Sequence, residues 1–125
     1  MVKSMPTVAI IDPDDSIYNN LAQLLDGIDV KVNTYSSAET FLARLESNRY
    51  SCILAETSLP GIGGGELLEK LGMRQDPVPT ILLTKQADIS LAVHAMQAGA
   101  VDFIEKPFTE AVLLGLIKQI VTEDA

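Results

Sequence analysis

The chain has 125 residues, 47% hydrophobic and 21% charged, which suits one domain with its own core and excludes a disordered segment. A formal net charge of -8 with only nine Lys and Arg argues against direct nucleic-acid binding, since gripping phosphates needs clustered cations. One cysteine, Cys52, and one histidine, His94, exclude an internal disulfide and leave too few ligands for a structural zinc site.

Residues 1–6 are too short for the apolar core of a secretion signal, and the next apolar run stops at Asp12. No apolar run approaches the roughly 18–20 residues that span a bilayer. These features predict a cytoplasmic protein with no membrane contact.

In chain order, apolar runs of strand length alternate with segments of helical period. Residues 8–11 form a continuous apolar run, as in a strand buried on both faces. From Ser16 onward, Ile17, Leu21, Leu24 and Leu25 fall at helical spacing, closed by Gly27. A short strand is expected over 30–32. Ser36 or Ser37 can cap the next helix, with Phe41, Leu42 and Leu45 as its stripe. A third strand is expected over 50–55 and a short helix over 66–71, closed by Gly72. The fourth strand covers 79–83 and reaches Thr84; the fourth helix covers 89–98, closed by Gly99. A fifth strand over 101–104 and a helix over 109–121, capped by Thr109, complete the chain. No internal repeat, linker or low-complexity tract interrupts this order.

Five strand–helix units imply right-handed crossovers and a parallel sheet with helices on both faces. In such sheets the functional crevice lies beyond the carboxyl ends of the strands. Asp12, Glu56, Thr84 and Lys106 stand at those ends, with Asp14 and Asp15 beside the first. Singly, each has an ordinary reading: Asp and Thr cap helices, Glu ends many strands, and Lys before Pro is unremarkable. Together they make a different set. Converging carboxylates attract a cation or share a proton, and a lysine and a hydroxyl can hold the oxygens of an anion. That is a kit for handling a phosphoryl group.

The segments IIDPDDS, ILAETSLPGIGG, ILLT and GAVDFIEKPF resemble the receiver domain of two-component response regulators almost from end to end. The resemblance implies a flavodoxin-like, doubly wound (βα)5 fold with a five-stranded parallel sheet in the order 2-1-3-4-5, over a single domain 1–125. It also implies roles. Asp12 corresponds to an acidic-pocket residue, Thr84 to the switch hydroxyl, Phe103 to the aromatic switch position and Lys106 to the phosphoryl-contacting lysine. A cis peptide is implied between Lys106 and Pro107, where an X-Pro bond makes it cheap.

Two departures matter more than the matches. The family's phosphorylatable aspartate is Glu56 here, and its second acidic residue, a magnesium ligand, is Pro13. The polar residue ahead of the turn glycine is also absent, as Gly63. Glutamate is longer by one methylene, so its carboxylate reaches into the space a phosphoryl group would occupy. Misplacement of about 1 Å can cost roughly 100-fold in an in-line attack. Pro13 removes a hard oxygen ligand of the kind magnesium prefers. Asp14 could substitute only by a one-residue shift that Pro13 resists. The expectation is therefore an atypical receiver with no catalytic residues and no required cofactor. Magnesium binding at Asp12, Asp14 and Glu56 would be weakened. Glu56 either pairs with Lys106 in imitation of the switched-on state or is a remnant in a docking module.

The resemblance also implies a protein partner or output domain on the face of the fourth helix, fifth strand and last helix, with a homodimer as one form, and suggests a downstream DNA-binding output domain. Leu113, Leu116, Ile117 and Ile120 form an inward stripe on the last helix; Leu114 and Val121 lie to one side, as an exposed apolar edge suited to a partner or as the margin of a wide core face. His94 reads as a solvated or core-edge residue and Cys52 as a small core residue. The glycines from Gly61 to Gly65 are followed by no G-K-[ST] and read as a turn. An enzyme alternative places a haloacid-dehalogenase-like nucleophile at Asp12 and its general acid at Asp14, but the later acidic cluster such enzymes need is missing. A flavodoxin-like nucleotide binder would need a glycine-rich loop where Asp12, Asp14 and Asp15 would repel phosphates.

Overall fold

Five short strands lie side by side, all parallel: β1 (Thr7–Ile11), β2 (Lys31–Tyr35), β3 (Cys52–Glu56), β4 (Thr80–Thr84) and β5 (Asp102–Glu105). Their order is β2-β1-β3-β4-β5. The structure, a computed structural model, describes residues 6–13, 19, 23, 25, 30–45, 50–57, 61–73, 78–84, 89–105 and 109–123. The described helices are α1 (Ala38–Arg44), α2 (Gly64–Gly72), α3 (Ile89–Gln97) and α4 (Glu110–Glu123). This is the flavodoxin-like, doubly wound sheet that the alternation predicts. Most of the expected helix after Ser16 lies outside the described residues; Leu25 from it is fully buried.

The alternation of side chains along the strands divides the interior in two. Ala9, Ile11, Ile53, Ala55 and Leu82 point to one face, where Phe41 of α1 and Leu67 and Leu71 of α2 cover them. Val8, Ile10, Leu54, Ile81 and Leu83 point to the other, beneath Leu113, Ile117 and Ile120 of α4. The central strands β3 and β4 are buried along their whole length, which is why they read as unbroken apolar runs. Phe41 is wholly enclosed; truncating such a residue to alanine typically costs about 3–5 kcal/mol.

Several boundaries differ from expectation, each for a physical reason. β2 extends to Tyr35 rather than stopping at Val32, because all five of its residues pair with β1. As an edge strand with one row of backbone bonds, it tolerates Asn33 and Thr34. Tyr50 precedes β3 and packs its ring against Tyr35 and Phe41, while its hydroxyl takes part in hydrogen bonds with Tyr35 and Asn33. Ser37, not Ser36, caps α1, accepting the Thr40 N–H at 3.2 Å. α2 begins at Gly64, earlier than expected, because burial of Leu67, Leu68 and Leu71 outweighs the poor helix propensity of glycine. Leu114 and Val121 are half-buried against the second core and so form its margin, not an exposed edge; Leu116 is half-buried with them. Among the described residues the exposed large apolar side chains are Met73, Val93, Met96, Val101 and Val112.

Candidate functional site

The parallel register gathers polar residues at one edge of the sheet. Asp12 follows Ile11 at the end of β1, and its N–H donates to the Tyr35 carbonyl at 3.0 Å, continuing the β1–β2 ladder. Ile11 is level with Ala55, so Asp12 and Glu56 each lie one step past a paired position on neighbouring strands. Glu56 is the last residue of β3 and is level with Leu83. Thr57 donates its N–H to the Leu83 carbonyl at 3.0 Å and so extends the β3–β4 ladder beside Thr84.

These groups are buried. Asp12 is 7% exposed, Glu56 3%, Thr57 7% and Thr84 0%. Buried polar groups are tolerable only when partnered, and no buried side-chain nitrogen or oxygen among the described residues lacks a hydrogen bond. The Thr57 hydroxyl donates to Glu56 Oε1 and to Thr84 Oγ1, each at 3.4 Å. Sequence reasoning did not single out Thr57. The signal available was a hydroxyl directly after Glu56, but its meaning depends on the β3–β4 register.

The loop after β3 is shaped by a second carboxylate. Glu39, in the first turn of α1, accepts the Ile62 N–H at 2.6 Å. Gly61 beside it has a φ of 74°, a left-handed conformation that favours glycine. This is a turn tied to a carboxylate. It carries no phosphate-loop motif.

Pro13 is exposed and contributes no side-chain oxygen beside Asp12. Among the described residues no group of three or more His, Cys, Asp or Glu could hold a metal ion. Phe103 of β5 is level with Leu82 and half-buried against the first core. By the alternation along β4, it lies on the same sheet face as Thr84. Asp14, Asp15, Lys106 and Pro107 lie outside the described residues, as does the implied cis peptide. His94 is exposed on α3. Cys52 is fully enclosed, and burial pushes its thiol up to about 12. No described helix is long and apolar enough to cross a membrane.

An open parallel sheet with two acids and a hydroxyl at its carboxyl edge is a doubly wound α/β domain with its polar residues where such folds place their functional crevice. The model of the response regulator receiver domain matches residues 8–118. The chain belongs to that family. It is 34% identical over 116 residues to the transcriptional regulatory protein FixJ of Bradyrhizobium diazoefficiens, covering 93% of this chain and 57% of that protein. Against the FixJ of Azorhizobium caulinodans it is 38% identical over 118 residues, covering 94% and 56%. The chain therefore spans a little over half the length of these relatives.

Solved structures agree with the fold. Full-length FixJ from B. japonicum superposes with a TM-score of 0.89 at 33% identity, over 97% of this chain and 60% of that one. A response regulator receiver protein from Pseudoalteromonas atlantica gives 0.88 at 36% identity, over 96% of this chain and 100% of that one. Nothing in these matches supports the hydrolase alternative on Asp12 and Asp14.

Proposed function

We propose that this receiver domain works without phosphorylation, as an atypical signalling module that acts by protein–protein contact or by regulating an attached output domain. It is not an enzyme in this reading, and its place is the cytoplasm. The observation that carries the proposal is Glu56, 3% exposed at the end of β3, where the family resemblance expects the acceptor aspartate. Its extra methylene displaces the acceptor oxygen, and Pro13 withholds a metal-binding carboxylate from the neighbouring strand end. Both changes disfavour phosphoryl transfer, whose catalysis is almost wholly positioning and charge stabilisation.

Glu56 instead places a carboxylate of its own where the family's acceptor would carry its phosphoryl group. In this reading it pairs with Lys106 and imitates the switched-on state, with Thr84 and Phe103 kept as the responding positions. The contact between the Glu56 carboxylate and Thr84 through the Thr57 hydroxyl supports that preference over a decayed remnant.

The partner surface is assigned to α3, β5 and α4. Val93 and Met96 on α3, Val101 ahead of β5 and Val112 on α4 are exposed apolar side chains on or beside those elements. A homodimer is one form this contact can take. The transcriptional role named for the FixJ relatives supports a DNA-binding output domain attached to this one. The test is incubation with a small-molecule phosphodonor and magnesium, read by intact mass. An unchanged mass supports the proposal, and a phosphoryl adduct localised to Glu56 refutes it.

A further inference from the structure

The Thr57 hydroxyl has one proton and two acceptors. Glu56 Oε1 and Thr84 Oγ1 each lie 3.4 Å from Thr57 Oγ1, and all three residues are buried. Contacts of that length are weak, so the proton redistributes easily between them. The Thr57 backbone, by contrast, is held in the sheet by its N–H bond to Leu83 at 3.0 Å, and a β-branched side chain is stiff at χ1. Only the hydroxyl rotor is loose.

We propose that Thr57 is a positioning residue that couples the charge at position 56 to the conformation of the Thr84 side chain. The inference rests on the reading of Glu56 as an imitation of the switched-on state and adds the path by which its carboxylate is felt. Hydrogen bonds to an ionised acceptor are roughly twice as strong as those between neutral groups. An ionised Glu56 therefore draws the Thr57 proton to itself and leaves the Thr84 oxygen with less of it. Neutralising Glu56, or drawing its charge to an arriving cation, returns the proton to Thr84 and favours a different χ1. No covalent bond is made or broken; the Thr57 hydroxyl turns and the Thr84 side chain responds.

The test is a mutant cycle read at the Thr84 methyl group by NMR, through its 13C shift and the three-bond couplings that report χ1. Glu56→Gln is introduced into the native chain and into Thr57→Ser and Thr57→Val backgrounds. The proposal expects Glu56→Gln to displace the Thr84 methyl signal in the native and Thr57→Ser proteins. In Thr57→Val, which keeps the shape but lacks the hydroxyl, that displacement is lost. An equal displacement in Thr57→Val overturns the proposal, because the coupling then bypasses Thr57. No displacement in any background also overturns it.

If Thr57→Val loses the dispersed amide spectrum of a folded protein, Thr57→Ala takes its place with the same expectations. A failed coupling leaves the phosphodonor result untouched. Conversely, a phosphorylated Glu56 would refute the proposed function while leaving this cycle readable in the unphosphorylated protein.

Discussion

Glu39 Oε1 accepts the backbone N–H of Ile62 at 2.6 Å and thereby ties the loop after β3 to the first turn of α1. Gly61 sits against the same carboxylate: a Cβ there would lie 2.8 Å from Glu39 Oε1, on a backbone with a φ of 74°. Gly61→Ala should therefore destabilise the domain by about 1–3 kcal/mol, from left-handed strain together with displacement of Glu39. Glu39→Ala, which removes one hydrogen bond to an exposed carboxylate, should cost about 1 kcal/mol. The two costs should not add, since removing Glu39 relieves the clash. Urea unfolding of the single and double variants checks this.

Gly115 offers the opposite case. It lies exposed within α4, and a Cβ built there meets nothing within 4 Å. Gly115→Ala should raise stability by about 0.5–1 kcal/mol through helix propensity and a less flexible unfolded chain. Thermal unfolding should show a higher Tm with no change in the amide spectrum away from α4. A lower Tm would contradict the open surroundings of Gly115 on α4.

Tyr35 makes the alkaline limit of stability a local question. Burial, followed by its hydrogen bond with Tyr50, pushes the phenol from 10.0 up to about 12. Between those values the unfolded chain has released this proton while the folded one still holds it. Protons bound in the folded state then exceed those bound in the unfolded state, so stability falls as pH rises through 10 to 12. Below pH 10 the contribution is fully present. The urea midpoint should drop between pH 9.5 and 11.5 more steeply in the native protein than in Tyr35→Phe. The same variant should lose the absorbance component at 295 nm that titrates near pH 12.

Cys52 should be chemically silent. It is fully enclosed in β3, and burial alone raises its thiol to about 12. The thiolate is the reactive form, so a disulfide reagent at pH 8 should label the folded chain only at the rate of unfolding and the denatured chain at once. Rapid labelling of the folded protein would contradict the packing of β3 against β1.

The fold was legible because a parallel sheet writes itself in apolar runs. Residues such as Ile53, Leu54, Ile81, Leu82 and Leu83 are buried on both faces, and little else in a soluble chain demands that pattern. The candidate site was legible only where chemistry shows in a single residue. Asp12, Glu56 and Thr84 do fall on neighbouring strand ends. Thr57 was invisible because its role arises from the pairing of β3 with β4, which no local pattern reports. β2 was underestimated because Asn33 and Thr34 are held by backbone bonds rather than burial. Leu114 and Val121 could be read as core margin or exposed edge, because a helical period gives a direction but not the width of the surface beneath it; the structure makes them core margin.

The claim on which the account depends is that Glu56 and Pro13 together disable phosphoryl acceptance. The decisive measurement is intact mass after treatment with a small phosphodonor and magnesium, run side by side on the native chain and on a Pro13→Asp/Glu56→Asp variant. The account predicts no added phosphoryl group on the native protein and one on the variant, mapped to position 56. A phosphoryl group on Glu56 of the native chain would contradict it.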